Sequence, residues 1–260
     1  MSQMIAWRCV VSFSALLPLA CGQFGIGTPP CAHTQPIEPQ TAQVAAGESM
    51  HIDLEAGNLV VEVVPDLTEV KITGEACSSE LEQLPLVQLK VESVDGVLKL
   101  ASVFPDISNV GFGLDLTVQM PPGIPVRVKN GSGAISMQGV AGVEIDDGSG
   151  SIELSDIHGD VRIDDGSGSL SLTGVTGSVW IDDGSGNMEV RRVEGSVTIE
   201  DDGSGSIFVE DVRGDVIVED DGSGSIDVRL VGGDFRVEDD GSGSVDYSQV
   251  EGRVILPDDA

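Results

Sequence analysis

The sequence predicts an all-β chain, a parallel β-solenoid (β-helix or β-roll) of about seven regular coils of 17–19 residues behind a less regular β N-terminal part. Three observations carry that expectation. Gly-Ser-Gly returns seven times, its first glycine at Gly131, Gly148, Gly166, Gly184, Gly203, Gly222 and Gly241, in steps of 17, 18, 18, 19, 19 and 19 residues. Aliphatic residues recur at fixed offsets from it with period two. No helix-period segment lies between them.

Two residues after each Gly-Ser-Gly comes the first aliphatic site, Ile135, Ile152, Leu170, Met188, Ile207, Ile226 or Val245. Two further on is a second, from Met137 and Leu154 to Tyr247, and the residues between are mostly polar. This alternation predicts a strand with one buried face. A third aliphatic follows three residues later, from Val140 to Val250, and a glycine two beyond it, from Gly142 and Gly159 to Gly252. A glycine in every copy predicts a left-handed or cramped corner, where a Cβ would clash. A second alternating strand starts there, with inward pairs such as Val161 and Ile163, and runs into Asp-Asp-Gly-Ser-Gly. Parallel stacking of coils then forms aliphatic ladders about 4.8 Å apart. A flattened two-sheet roll and a triangle both satisfy this pattern.

Residues 44–130 carry the irregular part, read as early coils and a hairpin cap. Met50–Leu54, Leu59–Val63, Val70–Ile72, Leu114–Val118 and Val126–Val128 alternate or run apolar. Leu86–Val94 and Val97–Val103 flank Asp95-Gly96, a hairpin signal. A solenoid end exposes unpaired backbone and needs such a cover. The competing reading is a separate small β domain. Residues 131–260 hold the regular coils.

Residues 1–20 read as an export signal, with Arg8 followed by an apolar run from Cys9 to Leu19 that is too short for a membrane span. Leu17-Pro18-Leu19-Ala20-Cys21 resembles the lipobox of bacterial lipoproteins, departing from it at Pro18. That resemblance implies a lipid on Cys21 and an envelope location, the outer membrane above all, with a periplasmic or secreted protein as the alternative. If Cys9 leaves with the signal and Cys21 carries lipid, Cys31 and Cys77 remain to form one disulfide. Residues 21–43, rich in Gly, Pro, Thr and Gln, read as a flexible tether.

The chain holds 13 basic and 44 acidic residues, net −31. Residues 131–260 contain 30 acids and 7 arginines, net −23. Such a surface repels nucleic acid and anionic lipid, so no nucleic-acid partner and no membrane contact beyond the anchor are expected. It favours cations, a basic protein or a carbohydrate.

The run Val118-Gln119-Met120-Pro121-Pro122-Gly123-Ile124-Pro125-Val126-Arg127-Val128, leading into Asn130-Gly131-Ser132-Gly133-Ala134-Ile135, resembles the bacterial "putative adhesin" family of Gly-Ser-Gly β-strand repeats. So does Gly159-Asp160-Val161-Arg162-Ile163-Asp164-Asp165-Gly166-Ser167-Gly168. The resemblance spans roughly residues 44–256. It implies a β-solenoid on an exported or surface-exposed bacterial protein, and it brings no catalytic or binding residues. The doubled aspartate is a departure from it.

Those pairs are Asp146-Asp147, Asp164-Asp165, Asp182-Asp183, Asp201-Asp202, Asp220-Asp221 and Asp239-Asp240. Stacked carboxylates repel by roughly 1 kcal/mol per neighbour even at the dielectric of water. Two readings stay open. In one, each second aspartate accepts Gly and Ser amides as in an Asx turn and the rest face solvent. In the other, the ladder gathers Ca²⁺ between coils; no other cofactor is implied. Catalysis by paired carboxyls needs two different environments, and these coils repeat one. His33, His51 and His158 show no triad or metal spacing. Outward Trp180, Ile217 and Phe208 are expected to lie two coils apart or on different faces. The function expected is therefore a non-enzymatic adhesion or spacer module. A calcium-binding carbohydrate- or protein-binding module and a self-assembling filament are the alternatives.

Overall fold

A computed structural model describes residues 31–45 and 47–257; the segment expected to direct export, residues 1–20, and Cys21 lie outside the described residues. Two sheets of 12 and 11 strands face each other, so the coil is the flattened two-sheet form rather than the triangle. The first sheet takes the strand after each Gly-Ser-Gly, such as Gly150–Ile157, Gly168–Val175 and Gly186–Val193. The second takes the strand before it, such as Val161–Asp165, Val179–Asp183 and Val197–Asp202. Neighbouring coils pair in parallel and in register, Ile152 with Leu170 with Met188 and Val161 with Val179 with Val197. Alternation turns these ladders inward into one apolar core that runs from Met50 to Val237.

Of the two expected corner geometries, left-handed and cramped, the corner glycine takes one. In the regular coils after the first, the glycine at this place is cramped rather than left-handed: a Cβ on Gly177 would come within 2.5 Å of the Gly159 backbone. The left-handed residue stands three positions earlier, at Gly139, Asp156, Gly174, Arg192, Asp211, Leu230 and Gln249, with φ between +54° and +79°. The second and third aliphatics are three residues apart, an odd spacing for a strand. The left-handed residue turns two successive side chains outward and restores the third aliphatic to the core.

The irregular part is stacked out of chain order. Ser49–Leu54 lies between Val97–Val103 and Val126–Asn130, parallel to both. Leu59–Val63 likewise lies between Phe112–Met120 and Ile135–Gln138. The coil met first in the chain is thus the second in space, and the link at residues 121–125 passes it to start the regular stack. Beyond it the sheets turn antiparallel. Val70–Ser78 pairs with Phe112–Met120, and Gln88–Val94 with Val97–Val103 through the turn at Asp95 and Gly96, both at positive φ.

His33–Pro36 and Gln40–Ala42 add to Val70–Ser78 as short antiparallel strands, so the stretch assigned to a tether is sheet from residue 33. Cys31 is joined to Cys77 by a disulfide with Cα atoms 5.6 Å apart. At the other end, Gly243–Val250 is the edge strand, and Tyr247 is 48% exposed where its counterparts Val209 and Val228 are fully buried.

Candidate functional site: an inward row of aspartates

Each aspartate pair ends a strand of the second sheet, and strand alternation sends its members opposite ways. Asp146, Asp164, Asp201, Asp220 and Asp239 face solvent, and Asp182 is partly exposed. Asp147, Asp165, Asp183, Asp202 and Asp221 point inward and are no more than 3% exposed. Register stacks them in that order, with Asp240 after Asp221. Before Asp147 the ladder continues through Asn130 to Leu54.

The change of period from 18 to 19 residues is what keeps this row intact. Glu200, Glu219 and Glu238 are the added residues, and the register shifts after Ile181 so that Asp183 still meets Asp202. Without this bulge, alternation would turn the second aspartate of each later coil outward. The two aspartates of a pair are therefore chemically distinct, as the Asx-turn reading expects, but the second is buried in the core, which that reading did not include. The position of the second aspartate, an even number of residues after Ile145, Ile163 and Ile181, was the available signal.

Inside, the carboxylates are only half satisfied. The Ser167 amide donates to Asp165 Oδ1 at 3.2 Å and the Ser185 amide to Asp183 Oδ1 at 3.1 Å, both Asx-turn contacts. Asp165 Oδ2, Asp183 Oδ2, both oxygens of Asp147, Asp202 and Asp221, and Asp240 Oδ1 are buried without a hydrogen-bond partner. Ser204 and Ser223 occupy the matching position at Asp202 and Asp221 and lower their pKa without reaching ordinary hydrogen-bond geometry. Burial dominates nonetheless. It pushes Asp147 up to about 6, partly offset by the Asn130 side chain and the Gly148 and Ser149 amides. Asp165 and Asp202 rise to about 7 through burial and then through repulsion from the carboxylates on either side. Asp183 and Asp221 are raised mainly by burial too.

No basic side chain answers this row among the described residues; the cations are spent on the outside. Lys129 meets outward Asp146 at 3.7 Å. In the repeats Arg162 pairs with Glu200, Arg213 with Glu194, Arg236 with Glu238 and Arg253 with Asp234. Arg191 reaches Glu189 and Glu210, and Arg229 reaches Asp227. Phe208, outward on the first sheet, lies under the Arg191 and Arg229 guanidiniums at 4.5 and 5.4 Å from its ring. Trp180 and Ile217 share an outer ladder of the second sheet with Thr198 between them, two coils apart. His158 lines a surface groove of about 330 Å³ with Asp156, Arg192, Glu194, Asp211 and Arg213. Among the described residues no three His, Cys, Asp or Glu side chains converge on one point.

No family model and no curated protein matches the sequence. Solved structures do resemble it. One is of a "putative cell adhesion protein" from Clostridium sporogenes, at 13% identity, covering 86% of this chain and 99% of that one, with a TM-score of 0.34. Another is of a "putative adhesin" from Bacteroides fragilis, at 16% identity, covering 86% and 97%, with a TM-score of 0.31. A third, a "Putative lipid binding protein" from Parabacteroides distasonis, is 13% identical over 83% and 96%, with a TM-score of 0.30. At these values the similarities say nothing about the ligand of this chain.

Proposed function

We propose that the chain is a non-enzymatic, exported, acidic β-solenoid that acts as an adhesion or spacer module of a bacterial envelope, held to the membrane by lipid on Cys21. The observation that supports this most is where the chain enters the rod. Cys31 and His33–Pro36 sit on the outermost strands of the covered end, and the regular coils lead away from it to Gly243–Val250 at the far end. A membrane anchor ten residues before Cys31 therefore holds the cap near the bilayer and projects the coils outward. The eleven strands in line along the first sheet give a reach of about 50 Å.

The repeats present an acidic outer surface suited to a basic protein or a carbohydrate bearing cations. Head-to-tail filament growth is disfavoured by the same cap, whose edge strands His33–Pro36 and Gln88–Val94 run antiparallel to their neighbours and do not continue the parallel register of the coils. Fatty-acid labelling of cells producing the wild type and Cys21→Ser, with retention of those cells on a basic-protein surface, tests the proposal. Label and retention are expected for the wild type and lost in the variant. Equal labelling of the two, or equal retention of cells lacking the protein, would overturn it.

A further inference from the structure

We propose that the inward aspartate row is a linear calcium site, with Ca²⁺ ions seated between the carboxylates of successive coils inside the solenoid. The argument does not depend on the adhesion reading. Asp147, Asp165, Asp183, Asp202 and Asp221 are 97% or more buried, and each has at least one oxygen with no partner. An isolated buried carboxylate is expensive, and a row of them without a basic neighbour among the described residues calls for counter-charge. The buried oxygens left without a partner are the carboxylates and, at the start of the row, Asn130 Oδ1, all of them ligands for a hard cation.

Size then selects among hard cations. Adjacent parallel strands lie about 4.8 Å apart, so a point midway between two stacked carboxylates is about 2.4 Å from each. That falls within the Ca²⁺–oxygen range of about 2.3–2.6 Å and is too long for Mg²⁺ at about 2.0–2.1 Å. Two carboxylates per ion leave further positions for water or turn carbonyls, which the flexible coordination of Ca²⁺ accepts. Six carboxylates from Asp147 to Asp240 are neutralised by about three divalent ions, one in every second gap.

The ends of the row fit the same account. Towards the cap the ladder changes to Asn130 and then to Leu54, so charge stops where the regular coils begin. Towards the open end Asp240 is only half-buried, and the last strand pairs with the strand of Asp240 at Phe235 and Arg236 alone, so fraying there gives ions a way in. The outer aspartates are a different population, solvated and at Asp146 paired with Lys129.

The test uses the exported chain from residue 22, dialysed against calcium or against chelator, with metal content and melting temperature read together. About three calcium ions per chain are expected to remain, with a melting temperature raised by Ca²⁺ and not by Mg²⁺. Asp202→Asn is expected to fold, since Asn130 already places an amide in this ladder, and to retain about one ion fewer. Asp201→Asn, on the outer face, is expected to match the wild type. If Asp202→Asn does not fold, Asp240→Asn at the open end serves the same purpose. Calcium content no higher than in chelator would overturn the proposal. So would equal loss in the outer and inner variants, which would place the ions on the surface.

Discussion

Asp115, in the irregular part, and Asp202, in a regular coil, are both buried carboxylates with raised pKa values, yet their surroundings differ. Asp115 Oδ1 accepts the Asn58 amide at 2.7 Å, and Asn58 Oδ1 in turn accepts the Ala134 amide at 2.9 Å, tying the cap to the first regular coil. Asp202 is fully buried with neither oxygen bonded. The irregular part uses each residue once and can place a particular donor against a particular acceptor. A repeat copies its residue into every coil, so a charge at an inward position is stacked on its own copies. The chain's four lysines all lie before residue 130, and every cation in the coils is an arginine on the outer surface. The regular coils therefore gain uniform packing and carry an unbalanced row of charge.

The largest effect expected from breaking this regularity is at the turns. A Cβ on Gly186 would sit 1.5 Å from the Gly168 carbonyl oxygen, because the glycine turns stack directly on one another. Gly186→Ala is expected to destabilise the chain by about 4 kcal/mol or more, measured by urea unfolding. No comparable loss is expected at Gly123, whose Cβ would meet nothing within 4 Å, although its φ of +87° still adds strain. Next comes the cap. Cys77→Ser opens a disulfide that spans 46 residues and should cost about 2–4 kcal/mol, with early hydrogen exchange confined to the cap strands.

Asp202→Leu exchanges a buried, unpaired carboxylate for apolar volume. In chelator at pH 7 it is expected to stabilise the coils by about 1–4 kcal/mol, whereas Asp115→Leu should destabilise the cap because the Asn58 amide loses its acceptor. The smallest effect is at Leu230, a bulky residue held at a φ of +58°. Leu230→Asn is expected to raise stability by roughly 1 kcal/mol by relieving that strain, as calorimetry would show.

The sequence displays the solenoid clearly because each coil repeats the same evidence, and seven aligned copies of an alternation leave little doubt over which face is buried. The irregular part was legible as strands and a hairpin but not in its order, since nothing in Met50–Leu54 or Leu59–Val63 announces that a later coil will stack outside them. Residues 33–42 read as tether because they lack bulky apolar side chains, yet they are held by backbone pairing, which composition does not reveal. The left-handed corners were hidden for a related reason. Arg192, Leu230 and Gln249 are not residues that favour positive φ, and the neighbouring glycine drew the assignment instead. At the candidate site the pairs are visible and alternation after Ile145, Ile163 and Ile181 splits them, but in the later coils the split depends on the register of a bulge created by one inserted glutamate per coil.

The central claim is that the inner aspartates, and not the outer ones, carry the electrostatic burden of the coils. Its most direct measurement is the melting temperature in chelator from pH 5 to pH 8. Burial raises Asp147 to about 6 and Asp165 and Asp202 to about 7 from 3.8, so over this range the folded chain holds protons that the unfolded chain has released. Stability contributed by these protons is greatest at the acidic end and is lost as the pH climbs through 6 and 7. The wild type is expected to lose several degrees across the range. A variant with Asp147, Asp165, Asp183, Asp202 and Asp221 changed to Asn should stay nearly flat, and the matching outer variant should follow the wild type. A wild-type melting temperature that rises with pH, or a slope abolished by the outer substitutions instead of the inner ones, would contradict the account.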